Sequence, residues 1–241
     1  MVSAGFILMR TLKFIKVMVK SNYIVYDTET GGLEYKKAPI TQYAAVILDG
    51  VTLKEIDRYE TYLKPYAGLE IDPVALAKTQ VTMSDVNNGI KVKDFVKTVT
   101  KWWDMHNTVK TKKEMGRLVP VGHNVPFDNG FIQYALDLCD AGLLWNYHFP
   151  NIIDTMSLAK ITWGLDRVEK INLGSCCERC NIKLIGAHGA MNDVEATADL
   201  FRWYMKKLRG NVAVAVGNGN LRGRKTGNEF FEFKCAKDEK E

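Results

Sequence analysis

Two acidic side chains follow a short apolar run near the beginning of the sequence. The run Tyr23–Tyr26 is β-branched and aromatic, which predicts a buried strand, and Asp27 and Glu29 come directly after it. Residues two apart in a strand point to the same face, so the two carboxylates are expected side by side. Their repulsion would raise both pKa values unless a cation neutralised it, and oxygen ligands of this kind suit Mg²⁺ or Mn²⁺. The pattern alone leaves two alternatives open, a metal site or two solvated acids at a strand end.

Two further acids and a histidine lie at comparable places later in the chain. Asp128 follows the apolar run Leu118–Val121 and falls in the first turn of a predicted helix, where an acid also stabilises the helix dipole. Asp193 is predicted at the start of the last long helix, where a capping role is the alternative. His188 lies among small residues, which is typical of a loop, and its usual pKa suits proton transfer near neutral pH. Four acids and a histidine at strand ends and helix starts favour one shared site.

The elements that must position these residues follow from the apolar pattern. The predicted strands are Tyr23–Tyr26, Gln42–Leu48, Tyr59–Lys64, Leu118–Val121 and Asn151–Asp154. The predicted helices are Pro73–Lys78, Val92–Met105, Pro126–Cys139, Thr155–Trp163, Leu173–Ile182 and Asp193–Leu208. Three strands in sequence, followed by strand–helix alternation, predict an α/β fold with a mixed sheet flanked by helices.

Composition limits the class of protein without identifying it. The chain has 241 residues, 46% of them hydrophobic and 25% charged, which is ordinary for a globular domain with extensions. No stretch reaches the length of a membrane span, and the five cysteines form no secretory framework, so we expect no membrane partner and a cytoplasmic location. The C-x-x-C at Cys177–Cys180 has no second pair, which favours core packing over a metal site.

The positive charge is concentrated in one part of the chain. Between Lys91 and Arg117 there are eight basic and three acidic residues, a local excess equal to the +5 of the whole chain. A solvated helix face and loop explains this run, and a surface that attracts phosphates is the alternative.

Three short motifs contain the acids and the histidine. They are D-T-E-T-G-G-L at Asp27–Leu33, H-N-x-x-F-D at His123–Asp128 and H-x-A-x-x-D at His188–Asp193. Together they resemble the motifs of the DnaQ-like, DEDDh family of 3′→5′ exonucleases, over a stretch from about Tyr23 to Leu208. The resemblance implies a ribonuclease H-like fold with a five-stranded mixed sheet, an antiparallel meander followed by parallel strands.

The resemblance also implies a division of roles. Asp27, Glu29, Asp128 and Asp193 would hold two divalent metal ions, Mg²⁺ or Mn²⁺, about 3.5–4 Å apart. His188 would be the general base that takes a proton from the attacking water.

Six residues of the first two motifs are implied to bind substrate. They are Thr30, Gly31, Gly32, Leu33, His123 and Asn124. The glycines would let the backbone approach the terminal nucleotide, and Leu33 would pack either on its base or inside the protein. His123 and Asn124 would contact either the terminal nucleotide or the carboxylates. Asp154 has two explanations, proximity to the metals or capping of the helix Thr155–Trp163, and is left out of the metal set.

These roles imply an enzyme that releases nucleoside monophosphates from the 3′ end of single-stranded DNA. The first alternative is a 3′→5′ exoribonuclease that trims RNA. The second belongs to another class, a catalytically silent nucleic-acid-binding or polymerase-associated module. Because the full set of acids and the histidine is present, the enzyme is the favoured hypothesis.

Three regions are expected along the chain. Residues 1–20 form an amphipathic extension, with Met18 as an alternative start, and residues 21–209 form the exonuclease domain. Residues 210–241 form a tail that is either an extra hairpin or disordered. Through its aromatic run Phe230–Phe233, this tail would bind a DNA polymerase or a second copy of the chain.

Overall fold

The computed structural model describes residues 21–108, 117–164 and 170–217, with side chains as far as residue 209. Predictions on residues 1–20, on the aromatic run Phe230–Phe233 and on part of the basic segment lie outside these residues. The chain divides into two compact units, residues 1–204 and 205–241. The first contains the sheet described below.

Five strands within the described residues form one mixed sheet. They are β1 (Tyr23–Thr30), β2 (Ile40–Leu48), β3 (Glu55–Tyr62), β4 (Val119–Gly122) and β5 (Ile153–Asp154). Their order across the sheet is β3-β2-β1-β4-β5. β2 is antiparallel to both β1 and β3, whereas β4 runs parallel to β1 and β5 parallel to β4. The predicted meander followed by parallel strands is confirmed.

Seven described helices lie between and after these strands along the chain. They are α1 (Pro73–Leu76), α2 (Met83–Asn88), α3 (Val92–His106), α4 (Val125–Asp137), α5 (Thr155–Trp163), α6 (Leu173–Arg179) and α7 (Ala190–Gly217), with a short 3-10 helix at Leu144–Asn146. None of the helices in the described ranges is both long enough and apolar enough to span a bilayer.

The larger hydrophobic core lies between the sheet and the helices α3 and α4. All nine residues of β2 are buried, as expected for a strand with neighbours on both edges and cover on both faces. Tyr43 of β2 meets Phe95 of α3 with ring centroids 5.2 Å apart, and Phe131 of α4 belongs to the same cluster. A second cluster includes Cys176 of α6 and Tyr204 of α7, so the core packing predicted for this cysteine-rich helix is confirmed.

β1 is longer than the apolar run predicted. The sequence placed its end at Tyr26, but β1 pairs with β2 up to Thr30, with a register shift after Glu29. β4 pairs only with Tyr23–Val25. Within the described residues, the last part of β1 therefore pairs with a strand on one edge only, and the two acids lie inside the strand rather than after it.

Several other element boundaries differ from the predictions, and one helix was not predicted. β3 covers Glu55–Tyr62 rather than Tyr59–Lys64, because charged residues at a sheet edge hide the strand pattern. α2 was not predicted, although Thr82 and Asp85 form a capping box that marks its start. α7 begins at Ala190 rather than at Asp193 and continues to Gly217, beyond the boundary expected at residue 209.

Candidate active site

Asp27 and Glu29 extend side by side from β1, as the strand period requires. Both side chains are only partly buried, whereas Tyr26 and Thr28 on either side of Asp27 are buried. The two carboxylates thus face an opening at the edge of the sheet, while the alternate residues of the strand anchor it.

Asp128 approaches this edge from the first turn of α4. The carboxylate is 3% exposed, and its Oδ1 accepts hydrogen bonds from the Thr28 N–H at 2.9 Å and the Thr28 hydroxyl at 2.7 Å. β4 does not pair with this part of β1, so the Thr28 N–H would otherwise lack a partner on that side. Asp128 therefore extends the hydrogen bonding of β1 while bringing a negative charge beside Asp27.

Asp193 lies in the first turn of α7. Its N–H donates to Gly189 at 3.0 Å, so it is a residue of the first turn and not the helix cap that the sequence offered as an alternative. Gln42 of β2 fixes this helix end, because its side-chain oxygen accepts the buried Ala190 N–H at 3.1 Å. The other side of the same amide donates to Glu60 at 2.7 Å.

His188 is exposed in the segment before α7, with its backbone in the left-handed region at φ 68°. Its N–H donates to Asp193 Oδ2 at 3.3 Å. Gln80 supports the segment from outside: its backbone N–H donates to the His188 carbonyl at 2.7 Å, and its amide donates to the Ala187 carbonyl at 3.1 Å. The predicted base is thus held beside a predicted metal ligand while its ring remains exposed.

Three of the four predicted ligands converge on one point. Oxygen atoms of Asp27, Glu29 and Asp193 all lie within 4.8 Å of one another. Asp193 Oδ1 is a buried atom without a hydrogen-bond partner among the described residues, which is the condition expected of an oxygen left for a cation. This acidic cluster is therefore able to hold a divalent metal ion, and Asp128 lies beside the three without belonging to the set.

Burial and mutual repulsion raise the pKa values of the carboxylates in this part of the site. Burial raises the pKa of Asp27 well above its usual range, and the charges of Asp128, Glu29 and Asp193 raise it further. Burial, followed by the charges of Asp193 and Asp128, raises the pKa of Glu29 to about 8. For Asp128 burial raises the pKa to about 7, although the hydrogen bonds from Thr28 oppose the shift. Bringing these groups together costs free energy that a bound cation would recover.

The predicted substrate segment after β1 forms a closed loop. Gly31 donates its N–H to the Pro39 carbonyl and accepts from the Asp72 N–H, both at 2.8 Å. A Cβ at Gly31 would lie 3.0 Å from Pro39 and 3.1 Å from Ile71, so packing within the protein already requires this glycine. Thr30 is buried, whereas Leu33 is 85% exposed. Of the two alternatives for Leu33, packing inside the protein is wrong.

The second motif divides into structural and exposed residues. Both ring nitrogens of His123 have protein partners, the Thr155 hydroxyl at 2.9 Å and the Ile171 carbonyl at 2.8 Å, so a polar contact to substrate would require one of them to break. Asn124 has an exposed side chain that makes no capping hydrogen bond. Asp154 caps α5 by accepting the Met156 N–H at 3.0 Å, which is the capping alternative.

Sequence reasoning missed three residues that organise the site. Thr28 holds Asp128, Gln42 holds the start of α7, and Gln80 holds the His188 segment. Only Gln42 carried a visible signal, since it is an amide directly before the apolar run Tyr43–Leu48 of β2. The other two depend on contacts between distant parts of the chain.

The fold and the site together define a class of protein, and the comparison with known families agrees. The profile of the exonuclease family matches residues 24–201, and the chain belongs to this family in its DnaQ-like form. Escherichia coli exonuclease I, in complex with a dT13 oligonucleotide, has the same ribonuclease H-like fold, with a TM-score of 0.66 and 19% identity over 82% of this chain and 43% of that one.

Two kinds of relative are similar in sequence. The PolC-type DNA polymerase III of Oceanobacillus iheyensis is 28% identical over 79% of this chain, which spans only 12% of the polymerase. Ribonuclease T of a Shewanella species is 28% identical over 80% of this chain and 87% of its own length. The chain thus resembles a small part of one relative and nearly the whole of the other.

Proposed function

We propose that this protein is a 3′→5′ exonuclease that hydrolyses single-stranded DNA and releases nucleoside monophosphates. The convergence of Asp27, Glu29 and Asp193 beside the exposed His188 carries the proposal. Membership of the exonuclease family supports the reaction class.

Two divalent ions, Mg²⁺ or Mn²⁺, are the cofactors of the proposed enzyme. Asp27, Glu29 and Asp193 would hold them with Asp128 beside them, and oxygen-only ligands favour these hard cations. When bound, the ions would supply positive charge that stabilises the scissile phosphate and the departing 3′ oxygen.

His188 would accept the proton of the water that attacks phosphorus. The new P–O bond forms as the bond to the 3′ oxygen of the preceding nucleotide breaks, so the terminal nucleotide leaves with a 5′-phosphate. The hydrogen bond from the His188 N–H to Asp193 ties the position of the base to the carboxylate cluster. A base of this type operates well near neutral pH.

The loop after β1 suits an unpaired 3′ end. Leu33 is 85% exposed directly after Thr30–Gly32, where it would pack against the terminal base. The exposed Asn124 side chain would contact the terminal sugar or phosphate. The oligonucleotide bound by exonuclease I is single-stranded DNA, which supports the same substrate class for this chain.

RNA is the second candidate substrate, favoured by the ribonuclease T relatives, which match this chain over most of their length. A catalytically silent module is disfavoured, because the chain keeps all four acids and the histidine.

Binding to a polymerase or to a second copy through residues 210–241 remains part of the proposal, supported by the polymerase relatives. The proposal also keeps the domain bounds 21–209. It includes a cytoplasmic location, which is supported by the free thiols of Cys139, Cys176, Cys177 and Cys180.

The deciding experiment compares matched DNA and RNA strands labelled at the 5′ end, with Mg²⁺, with Mn²⁺ and with EDTA. We expect a ladder that shortens from the 3′ end on DNA, nucleoside monophosphate as product, and no reaction with EDTA. If the RNA strand shortens faster than the DNA strand, RNA is the substrate in place of DNA. The absence of shortening on both strands with either metal would refute the proposed function.

A further inference from the structure

The loop between β1 and β2 carries an aromatic side chain that the catalytic site does not use. Tyr35 lies two residues after Leu33 and is 41% exposed. The loop is held at its base by the hydrogen bond from Gly31 to Pro39, and at its tip by a turn in which Lys37 and Ala38 both donate to the Glu34 carbonyl at 2.9 Å. Tyr35 therefore sits on a fixed backbone although its ring is open to solvent.

The ring of Tyr35 is also fixed from below, by α4. A Cβ at Gly130 would lie 3.0 Å from Tyr35 Cδ1, so this glycine lets the ring lie directly on the helix. Tyr35 meets Phe131 at 6.3 Å and Tyr134 at 6.0 Å between ring centroids. An aromatic ring that is held on one side and exposed on the other is suited to stacking at little entropic cost.

A positive charge lies over the same ring. The Lys36 ammonium is 5.9 Å from the Tyr35 centroid, whereas the neighbouring Lys37 is engaged in an ion pair with Glu34 at 2.8 Å. An aromatic face with an adjacent lysine is the combination that binds single-stranded nucleic acid, through base stacking and phosphate attraction.

The position along α4 relates this ring to the scissile bond. Asp128 lies beside the carboxylate cluster, and the residues of the same helix that contact Tyr35 follow it by two (Gly130) to six (Tyr134) positions, which corresponds to about 3–9 Å along the helix axis. At about 3.4 Å per stacked nucleotide, this distance extends to the second or third nucleotide from the 3′ end.

We propose that Tyr35, supported by Tyr134, is a stacking site for the base of the second or third nucleotide from the 3′ end, and that Lys36 moves from the ring to a phosphate of the same strand. The inference rests on the proposed function and adds a binding site upstream of the terminal nucleotide. It makes an unpaired strand several nucleotides long, rather than a single terminal nucleotide, the unit that the enzyme recognises.

A double-mutant cycle between protein and substrate tests this site. Single-turnover release of the first nucleotide, measured against enzyme concentration, gives the half-saturating concentration and the maximal rate. The substrates are one single strand and derivatives in which each of the last five bases is removed in turn. The variants are Tyr35→Leu, which keeps apolar contact with α4 but lacks a ring, and Tyr35→Phe, which keeps the ring. Ile161→Ala is the control for loss of an exposed apolar side chain elsewhere, since Ile161 is 80% exposed on α5.

Tyr35→Leu should raise the half-saturating concentration on the intact strand about tenfold and leave the maximal rate nearly unchanged, whereas Tyr35→Phe and Ile161→Ala should match the wild type. For one of two strands, that without the second base or that without the third, the wild type should bind about tenfold more weakly than it binds the intact strand. The same base removal should not weaken binding by Tyr35→Leu any further. Lys36→Gln should reduce the slope of log affinity against log salt by about 0.7.

The proposed site is wrong if Tyr35→Leu binds the intact strand as tightly as the wild type does. It is also wrong if Tyr35→Leu weakens binding equally for every strand, or if only removal of the terminal base cancels the effect of Tyr35→Leu. These outcomes require that the wild type releases the first nucleotide. If the wild type releases nothing from any strand, the proposed function itself fails, so the two failures are distinguishable.

Discussion

At the scale of single residues, the site is defined by negative charges that the protein brings together against their repulsion. Asp27 lies among Glu29, Asp128 and Asp193, and its pKa is raised first by burial and then by these charges. A group in such surroundings lowers the stability of the metal-free protein, whereas in the proposed reaction it would hold a metal ion. Function and stability therefore respond to its removal in opposite directions.

Asp27→Asn should abolish hydrolysis and leave the fold intact. Loss of a metal ligand removes several kcal/mol of transition-state stabilisation, a decrease in rate of about a thousandfold or more. In EDTA the variant should unfold at the same temperature as the wild type or at a higher one, because the repulsion among the carboxylates is reduced. The measurement pairs the rate of nucleotide release with thermal unfolding. Retained hydrolysis would remove Asp27 from the site.

His188→Asn should lower the maximal rate about 10²–10⁴-fold while the Mg²⁺ requirement and the KM stay nearly unchanged. Asparagine is chosen because it tolerates the left-handed backbone at φ 68° better than alanine does, so the segment should keep its shape. The readout is the single-turnover rate at saturating Mg²⁺ and DNA, measured side by side for the variant and the wild type. An unchanged rate at neutral pH would exclude His188 as the base.

At the scale of elements, the site depends on how the start of α7 is attached to the sheet. Gln42 accepts the Ala190 N–H in the buried interior, and Gln80 holds the preceding carbonyls from outside. An N–H left unsatisfied in such a place costs about 1–3 kcal/mol, so the attachment fixes the helix end strongly. The positions of Asp193 and His188 therefore depend on two amides that need not touch substrate.

Gln42→Met should raise the Mg²⁺ concentration for half-maximal rate several-fold and lower the maximal rate about tenfold, because Asp193 loses its fixed place beside Asp27. The KM for DNA should change little. Gln133→Met is the matched control, since Gln133 accepts the Leu144 N–H at 2.8 Å and its amide donates to Asp137 and Gly142, at the end of α4 and in the loop after it. Both variants should unfold at lower temperature, but only Gln42→Met should alter the Mg²⁺ titration. The same shift in both variants would contradict a positioning role for Gln42.

At the scale of the whole molecule, stability is linked to pH and to metal through the acidic cluster. Glu29 has a pKa of about 8 in the folded state, against about 4.3 in an unfolded chain. Between these values the folded state binds more protons than the unfolded state, so the free energy of unfolding falls as pH rises. Buried His148, with its pKa lowered to about 3 by burial, acts in the opposite direction, but only below about pH 6.5.

The window from pH 6.5 to 8 therefore isolates the carboxylates. In EDTA the melting temperature should fall across this window for the wild type and less steeply for Glu29→Gln. Saturating Mg²⁺ should raise it more at pH 8 than at pH 6.5, because deprotonated carboxylates bind the ion. Differential scanning fluorimetry with and without Mg²⁺ measures both effects. A wild-type melting temperature that rises with pH in EDTA would contradict the assignment of the raised pKa values.

The sequence by itself determined the sheet, most of the helices and the acids Asp27, Glu29 and Asp193 that converge in one cluster. These features depend on local periodicity and on motif spacing, as Thr155–Trp163 illustrates, a helix whose two ends agree with the prediction. The sequence could not determine that β1 continues through Asp27 and Glu29, since pairing with β2 and not residue preference extends the strand.

Only the tertiary structure decided how the three motifs meet. Thr28 holding Asp128, Gln42 holding α7 and Gly130 making room for Tyr35 join residues that are about 90 to 150 positions apart, and no local pattern encodes such pairs. The structure also decided that Leu33 faces solvent and that both nitrogens of His123 are bound within the protein. Residue types fix which chemistry is available, whereas long-range packing fixes which side chains are left free to perform it.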